Sequence, residues 1–273
     1  MARDPRTAQR KGRRVKPPIV TFPGKLGDLL LAVPAIRSLA TLYRCPVQLV
    51  TTPYCSPAIP LLMEEPGLIE SVTIYDRYQP TATEPGLQPV AIPIPADLLA
   101  DGHRDVFHLG LRRHALPHER LTETIASSYG LTIRPGPWLR RARIDRSGPQ
   151  VMHAPVGEPW AAAALREWIS QGRSDRPVTL IGTASEFSIY QTMRLDRYEH
   201  VTLRETSDLL DVWKILDGAQ SFVGVASAPA VVAAASGLPC AWIMRPAPTP
   251  EIRAVIERCV PRGCKVSVVH CRA

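Results

Sequence analysis

Between Ile19 and Leu39 the hydrophobic pattern changes from that of a buried strand to that of a helix across one short turn. The apolar run starts at Ile19. After the Pro23–Gly27 turn and Asp28, Leu29, Leu30, Val33, Ile36 and Leu39 recur at helical spacing. A buried strand running straight into an apolar-faced helix is the opening of a βαβ unit, so an α/β fold with a parallel sheet is expected. Gly24 and Gly27 are read as turn residues that let the backbone bend tightly and approach a ligand. Asp28 falls at the helix N-cap or in its first turn. There its carboxyl is expected to lie below its usual range and stay ionised. Two roles remain open for it. One is a helix cap worth about 1 kcal/mol. The other is a reactive carboxylate at the strand's end, facing the crevice where open α/β sheets bind ligands. A phosphate-binding P-loop is excluded, because Gly24-Lys25 has neither the GxxxxGK[ST] spacing nor the hydroxyl.

The alternation continues through residue 76 and resumes after residue 150. Pro80, Pro85, Pro89, Pro93 and Pro95 predict an extended loop over 78–97. A helix is expected over His118–Tyr129, ended by Gly130. The Pro-, Gly- and Arg-rich stretch from Arg134 to Pro149 is the expected domain boundary. Its basic cluster of Arg134, Arg140, Arg141, Arg143 and Arg146 is either a phosphate-facing patch or a solvated linker. In the second half, strands are predicted over Gln150–Ala154, Pro177–Ile181, Ser221–Gly224 and Pro239–Met244. Helices are predicted over Trp160–Gln171, Asp208–Asp217, Ala228–Ser236 and Pro250–Cys259.

Charge is concentrated at one end. Residues 1–16 hold seven Lys or Arg and one Asp, a net of +6 out of the chain's +8. The remainder is close to neutral, so the basic balance describes a tail rather than a nucleic-acid-binding body. Such a tail is either a solubilising arm or a contact for anionic lipid headgroups. The cysteines form no CxxC, and Cys259, Cys264, His270 and Cys271 match no zinc spacing, so no metal is expected. His103, His108, His114, His118 and His153 are read as ordinary surface or cap residues. No run of 18 apolar residues suggests a membrane span. No G-x-G-x-x-G follows a strand, which argues against a dinucleotide oxidoreductase.

The segment from Gly27 to Asp76 resembles the N-terminal half of the family 9 glycosyltransferases, the heptosyltransferases of lipopolysaccharide synthesis. The resemblance rests on Gly27-Asp28, Pro34 within the following helix, the break from Tyr43 to Pro46, the strand Val47–Thr51, and Pro66 to Val72. Further on, Leu180–Glu186 (LIGTASE) resembles the family's strand followed by Gly-x-x-x-Glu. Phe222–Met244 resembles its VGxDTGPxHxAAAxGxP segment through Val223, Gly224, Ser227, Pro229, Ala233–Ala235, Gly237 and Pro239.

The resemblance implies a GT-B-like fold of two Rossmann-type lobes facing one cleft. Residues 17–135 would be the acceptor side and 150–273 the nucleotide-sugar donor side. It implies an inverting, metal-independent sugar transfer to a glycan or glycolipid, needing no cofactor. Asp28 would be the general base. Gly27, Gly182, Glu186, Ser227 and Ala228 would bind the donor, with Glu186 on the ribose and the amides of Ser227–Ala230 on the diphosphate. A cytoplasmic location at the inner membrane face goes with it, and no specific nucleic-acid partner. Four positions depart from the family pattern: Ala226 for an aspartate, Ala228 for a glycine, Val231 for a histidine, and Glu158 where a lysine is expected. They leave a second reading, a catalytically degenerate relative that binds a glycan or partner.

Overall fold

The computed structural model describes residues 16–76, 94–100, 105–109, 120–172, 176–245 and 249–270. The basic tail up to residue 15 and most of the proline-rich loop lie outside them. Two compact units divide the chain after Arg134.

In the first unit, β1 (Ile19–Phe22) is buried at every residue and leads into α1 (Leu26–Tyr43). There follow β2 (Val47–Thr51), a 3-10 turn over Pro53–Ala58, α2 (Ile59–Met63), β3 (Ile69–Ile74), α3 (Ala96–Ala100), β4 (Val106–His108) and α4 (Leu121–Ser127). The strands are parallel in the order β3-β2-β1-β4. α1 is long and apolar enough to cross a membrane by composition. Its Leu29–Ile36 stretch is buried throughout, as a core helix covering a parallel sheet requires. Arg44 ends α1 in the left-handed region (φ 55°), where its N–H reaches back to the carbonyls of Ala40 and Thr41. α3 begins at Ala96, so the stretch read as extended turns helical at its end.

The second unit holds β5 (Gln150–His153), α5 (Pro159–Ser170), β6 (Val178–Gly182), α6 (Ala184–Thr192), β7 (Val201–Glu205) and α7 (Leu209–Leu216). Then come β8 (Ser221–Gly224), α8 (Ala228–Ala235), β9 (Cys240–Met244), α9 (Pro250–Cys259) and β10 (Val266–His270). All strands are parallel, in the order β10-β9-β8-β5-β6-β7. Chain order therefore runs outward from the centre in both directions. This is the Rossmann arrangement, with its switch point between β5 and β8. α6, β7 and β10 carry no strong periodic signal, and the sequence reading does not place them.

The stretch 135–148 is part of this second unit. The Trp138 and Ala142 N–H groups donate to the carbonyls of Ala235 and Ser236 at 3.0 Å, and Gly136 N–H donates to Arg262 O at 2.9 Å. Trp138, Leu139 and Ala142 are buried. The Arg140 guanidinium lies 4.4 Å from the centre of the Trp213 ring, whose Nε1–H donates to Arg140 O. At Arg140, then, the basic cluster is tied to packing.

The β5–β8 contact is tight. A Cβ on Gly224 would sit 2.5 Å from the carbonyl oxygen of His153, a backbone atom that cannot yield. A Cβ on Gly157 would meet nothing within 4 Å. Gly224→Ala is expected to destabilise the fold by about 2 kcal/mol or more, and Gly157→Ala by well under 1 kcal/mol. Urea denaturation of the two variants side by side checks the difference.

Candidate functional site

Open α/β sheets bind ligands outside the carboxyl ends of their strands, where the strand order reverses. In the second unit that point lies between the ends of β5 and β8. His153 is the last residue of β5, and Ser227 follows β8 as the N-cap of α8. His153 is buried, with 4% of its surface exposed. Its Nδ1 lies 3.2 Å from Ser227 Oγ, and its Nε2 lies 3.2 Å from Glu186 Oε1. One imidazole thus joins the two polar side chains that the resemblance assigned separately to the donor. Reading His153 as an ordinary surface or cap histidine is corrected here. Its role follows from the strand order, which the sequence does not display.

Glu186 is held from both sides. It is the third residue of α6, and its Oε2 accepts the N–H of Thr183 at 2.7 Å and the Thr183 hydroxyl at 3.1 Å, a capping box. Burial pushes its carboxyl up, but the hydrogen bonds from His153 and the Thr183 donors, with the His153 charge whenever that ring is protonated, outweigh this and hold it below the usual range. Gly182 is a glycine because Glu186 leans over it: an added Cβ would lie 2.9 Å from both Glu186 Cβ and Oε2. Behind them Tyr190 is fully buried. Its hydroxyl donates toward the carbonyls of Ile181 (2.9 Å) and Ala154 (3.2 Å) and accepts the Ala154 N–H (2.9 Å), tying the ends of β5 and β6 together.

Ser227 caps α8 by backbone geometry alone. Its hydroxyl makes no cap bond and is directed to His153. Ala228 and Pro229 follow, and proline has no N–H, so Pro229 supplies none of the amides expected over Ser227–Ala230. Ala226 is exposed beside them, and Val231 is buried. Glu158 caps the start of α5, with its carboxylate accepting the Trp160 indole N–H.

The first unit has its own switch point, between β1 and β4. Thr21 Oγ1 lies 2.6 Å from His108 Nδ1 across it. The Tyr129 hydroxyl donates to His108 O and accepts its N–H, both at 2.8 Å. His108 is therefore built into the sheet's end, and burial holds its imidazole below the usual range. Asp28 is the third residue of α1, the same helix position as Glu186, and accepts the backbone N–H of Lys25, the N-cap.

The expectation for Asp28's ionisation is reversed. Desolvation by burial raises its carboxyl above the ordinary value and outweighs the Lys25 charge and backbone N–H, which lower it. The glycine roles change as well. Gly27 lies inside α1, and neither Gly24 nor Gly27 has a positive φ. Gly24 is small because a Cβ there would meet the Phe22 ring at 2.7 Å. Among the described residues no group of three His, Cys, Asp or Glu could hold a metal ion.

The sequence matches no protein-family model and no curated protein. Its structure resembles several solved structures. One is a family 9 glycosyl transferase from Veillonella parvula, at 11% identity and TM-score 0.63, covering 95% of this chain and 87% of that one. Another is the E. coli heptosyltransferase WaaC with ADP, at 13% identity and TM-score 0.57, covering 93% of each chain. A third is E. coli ADP-heptose lps heptosyltransferase II, at 14% identity and TM-score 0.56, covering 92% of this chain and 90% of that one. At these identities the likeness establishes the fold, which is the α/β fold of these glycosyltransferases.

The two carboxylates should answer pH with opposite sign. Asp28 is raised on folding, so its ionisation costs stability as pH climbs above about 3.8, the ordinary value. Glu186 is lowered, so its contribution is present above about 4.5 and is lost as pH falls. At pH 7, Asp28→Asn is expected to be at least as stable as the parent. Glu186→Gln should be less stable by about 1 kcal/mol through the weakened cap and lost charge. Both differences should shrink toward pH 3, as read by denaturant titration across pH.

Proposed function

We propose that the protein is a glycosyltransferase that binds a nucleoside diphosphate sugar at the carboxyl ends of β5, β6 and β8. The observation that carries the reading is the Ser227–His153–Glu186 chain of hydrogen bonds at the switch point of a Rossmann sheet, in a fold shared with heptosyltransferases. Ser227 and the amides of Ala228 and Ala230 would meet the diphosphate, where the start of α8 favours negative charge. Gly182 sets the Glu186 carboxylate at the sheet's end, with one oxygen committed to Thr183 and the other beside His153. Ribose hydroxyls would donate to that second oxygen.

On the first unit, Asp28 would take the proton from the acceptor hydroxyl as that oxygen attacks the anomeric carbon with inversion. Gly27, one position before it in α1, has no side chain, so the donor could approach that backbone closely. A carboxylate raised toward the working pH is a better base than one held low. The leaving diphosphate would be stabilised by donors and helix N–H groups rather than by a metal. The acceptor would be a glycan or glycolipid. The basic residues 1–16 would contact anionic lipid at the inner face of the membrane, with the protein in the cytoplasm.

Ala226, buried Val231 and Glu158 support a second reading: a relative that binds nucleotide or glycan without turnover. The same experiments separate the two. A thermal-shift screen of nucleoside diphosphates and their sugars is expected to raise Tm with at least one of them, and Ser227→Ala should weaken that ligand about fivefold, the loss of one hydrogen bond. Transfer measured with the identified donor should fall at least about a hundredfold in Asp28→Asn. A ligand that binds but is never turned over favours the binding-only reading. Turnover retained in Asp28→Asn removes Asp28 from the chemistry.

A further inference from the structure

The His153 imidazole has both nitrogens engaged while it is buried, and its two partners make different demands on it. Glu186, held on the ionised side, can only accept, so Nε2 carries a proton and donates to Oε1. In a neutral ring Nδ1 then has no proton and accepts the Ser227 O–H. The Ser227 hydroxyl has one hydrogen. If it turns to a phosphate oxygen, the buried Nδ1 loses its donor, and leaving such a group unpaired is costly. Protonation of Nδ1 removes the conflict: Nδ1–H then donates to Ser227 Oγ, while Ser227 O–H donates to the phosphate. The new charge would sit beside the Glu186 carboxylate on one side and the diphosphate on the other, both of which favour it.

We propose that binding of the diphosphate takes up one proton from solvent onto His153, so that donor affinity falls as pH rises. This rests on the donor-site reading above and adds the residue that makes the site proton-linked. Glu186 is the titratable group that His153 touches among the described residues. Tyr190, also on α6, faces the same end of the sheet. Burial pushes its hydroxyl up, so it stays neutral. From β8 the neighbour is the Gly224 backbone, and from the start of α8 it is Ser227, neither of which titrates as a side chain.

The test uses the full chain and three probes, ADP-glucose, GDP-glucose and UDP-glucose, whose two phosphates stay fully ionised across the neutral range. Titration calorimetry of the best binder is run in two buffers of different ionisation enthalpy and repeated at several pH values. Up to one proton should be taken up per ligand, with affinity falling as much as about tenfold per pH unit on the alkaline side. His153→Gln and Ser227→Ala should both bind more weakly and with no proton uptake. Ser227→Ala, at a half-buried position, keeps the test sound if the buried substitution does not fold. Binding with no proton uptake, or uptake that persists unchanged in Ser227→Ala, overturns the proposal and leaves the donor site standing. Absence of binding by all three probes overturns the donor-site reading and this inference with it.

Discussion

The close pairing of β5 with β8 is the contact on which the second unit depends. The two strands are far apart in the chain, yet they run side by side from Gln150 with Ser221 to His153 with Gly224. A sheet whose halves grow outward from this pair must reverse its strand order between them, and the reversal opens a crevice at the carboxyl ends. Gly224 has no side chain to hold the strands apart, and the His153 carbonyl fills the space a Cβ would need. The same contact that closes the sheet therefore sets the His153 imidazole between Ser227 and Glu186. The strand packing and the hydrogen-bonded trio depend on one residue pair.

Asp28 and Glu186 are a comparison in how surroundings choose a role. Each is the third residue of a helix that follows a buried strand, and each reaches back to the N–H of its N-cap residue. Local sequence would assign them the same capping work. Glu186 gains an imidazole and a hydroxyl, which offset burial and keep it ionised. Asp28 has the weaker help of Lys25, and burial dominates. Two carboxylates pushed in opposite directions differ in when they ionise: Glu186 stays an anion to lower pH, and Asp28 keeps its proton to higher pH.

Much of the architecture was legible because it is written in periodicity. The strand-to-helix switch at Ile19–Leu39, the amphipathic face of α7 and the Pro250 start of α9 are local signals, and the elements stand where those signals predict them. α6 is polar over most of its length and β7 is largely exposed, so neither carries a period to read. The arginine-rich stretch after Arg134 looks like a linker by composition. Its Trp138, Leu139 and Ala142 nevertheless cover the end of α8, an outcome set by what lies across from them. The glycines Gly24 and Gly182 were visible as small residues near a turn. Only the structure identifies what crowds them, the Phe22 ring and the Glu186 side chain.

The sequence by itself determined the alternation of strands and helices, the helix-start position of Asp28, and the small-residue opening of α8, because each depends on neighbours a few residues away. Strand order, the meeting of residues 153, 186 and 227, and the direction of the Asp28 shift were decided by tertiary structure alone. Those properties depend on which groups approach across the sheet and how much water they displace, and a list of residues carries neither distance nor burial.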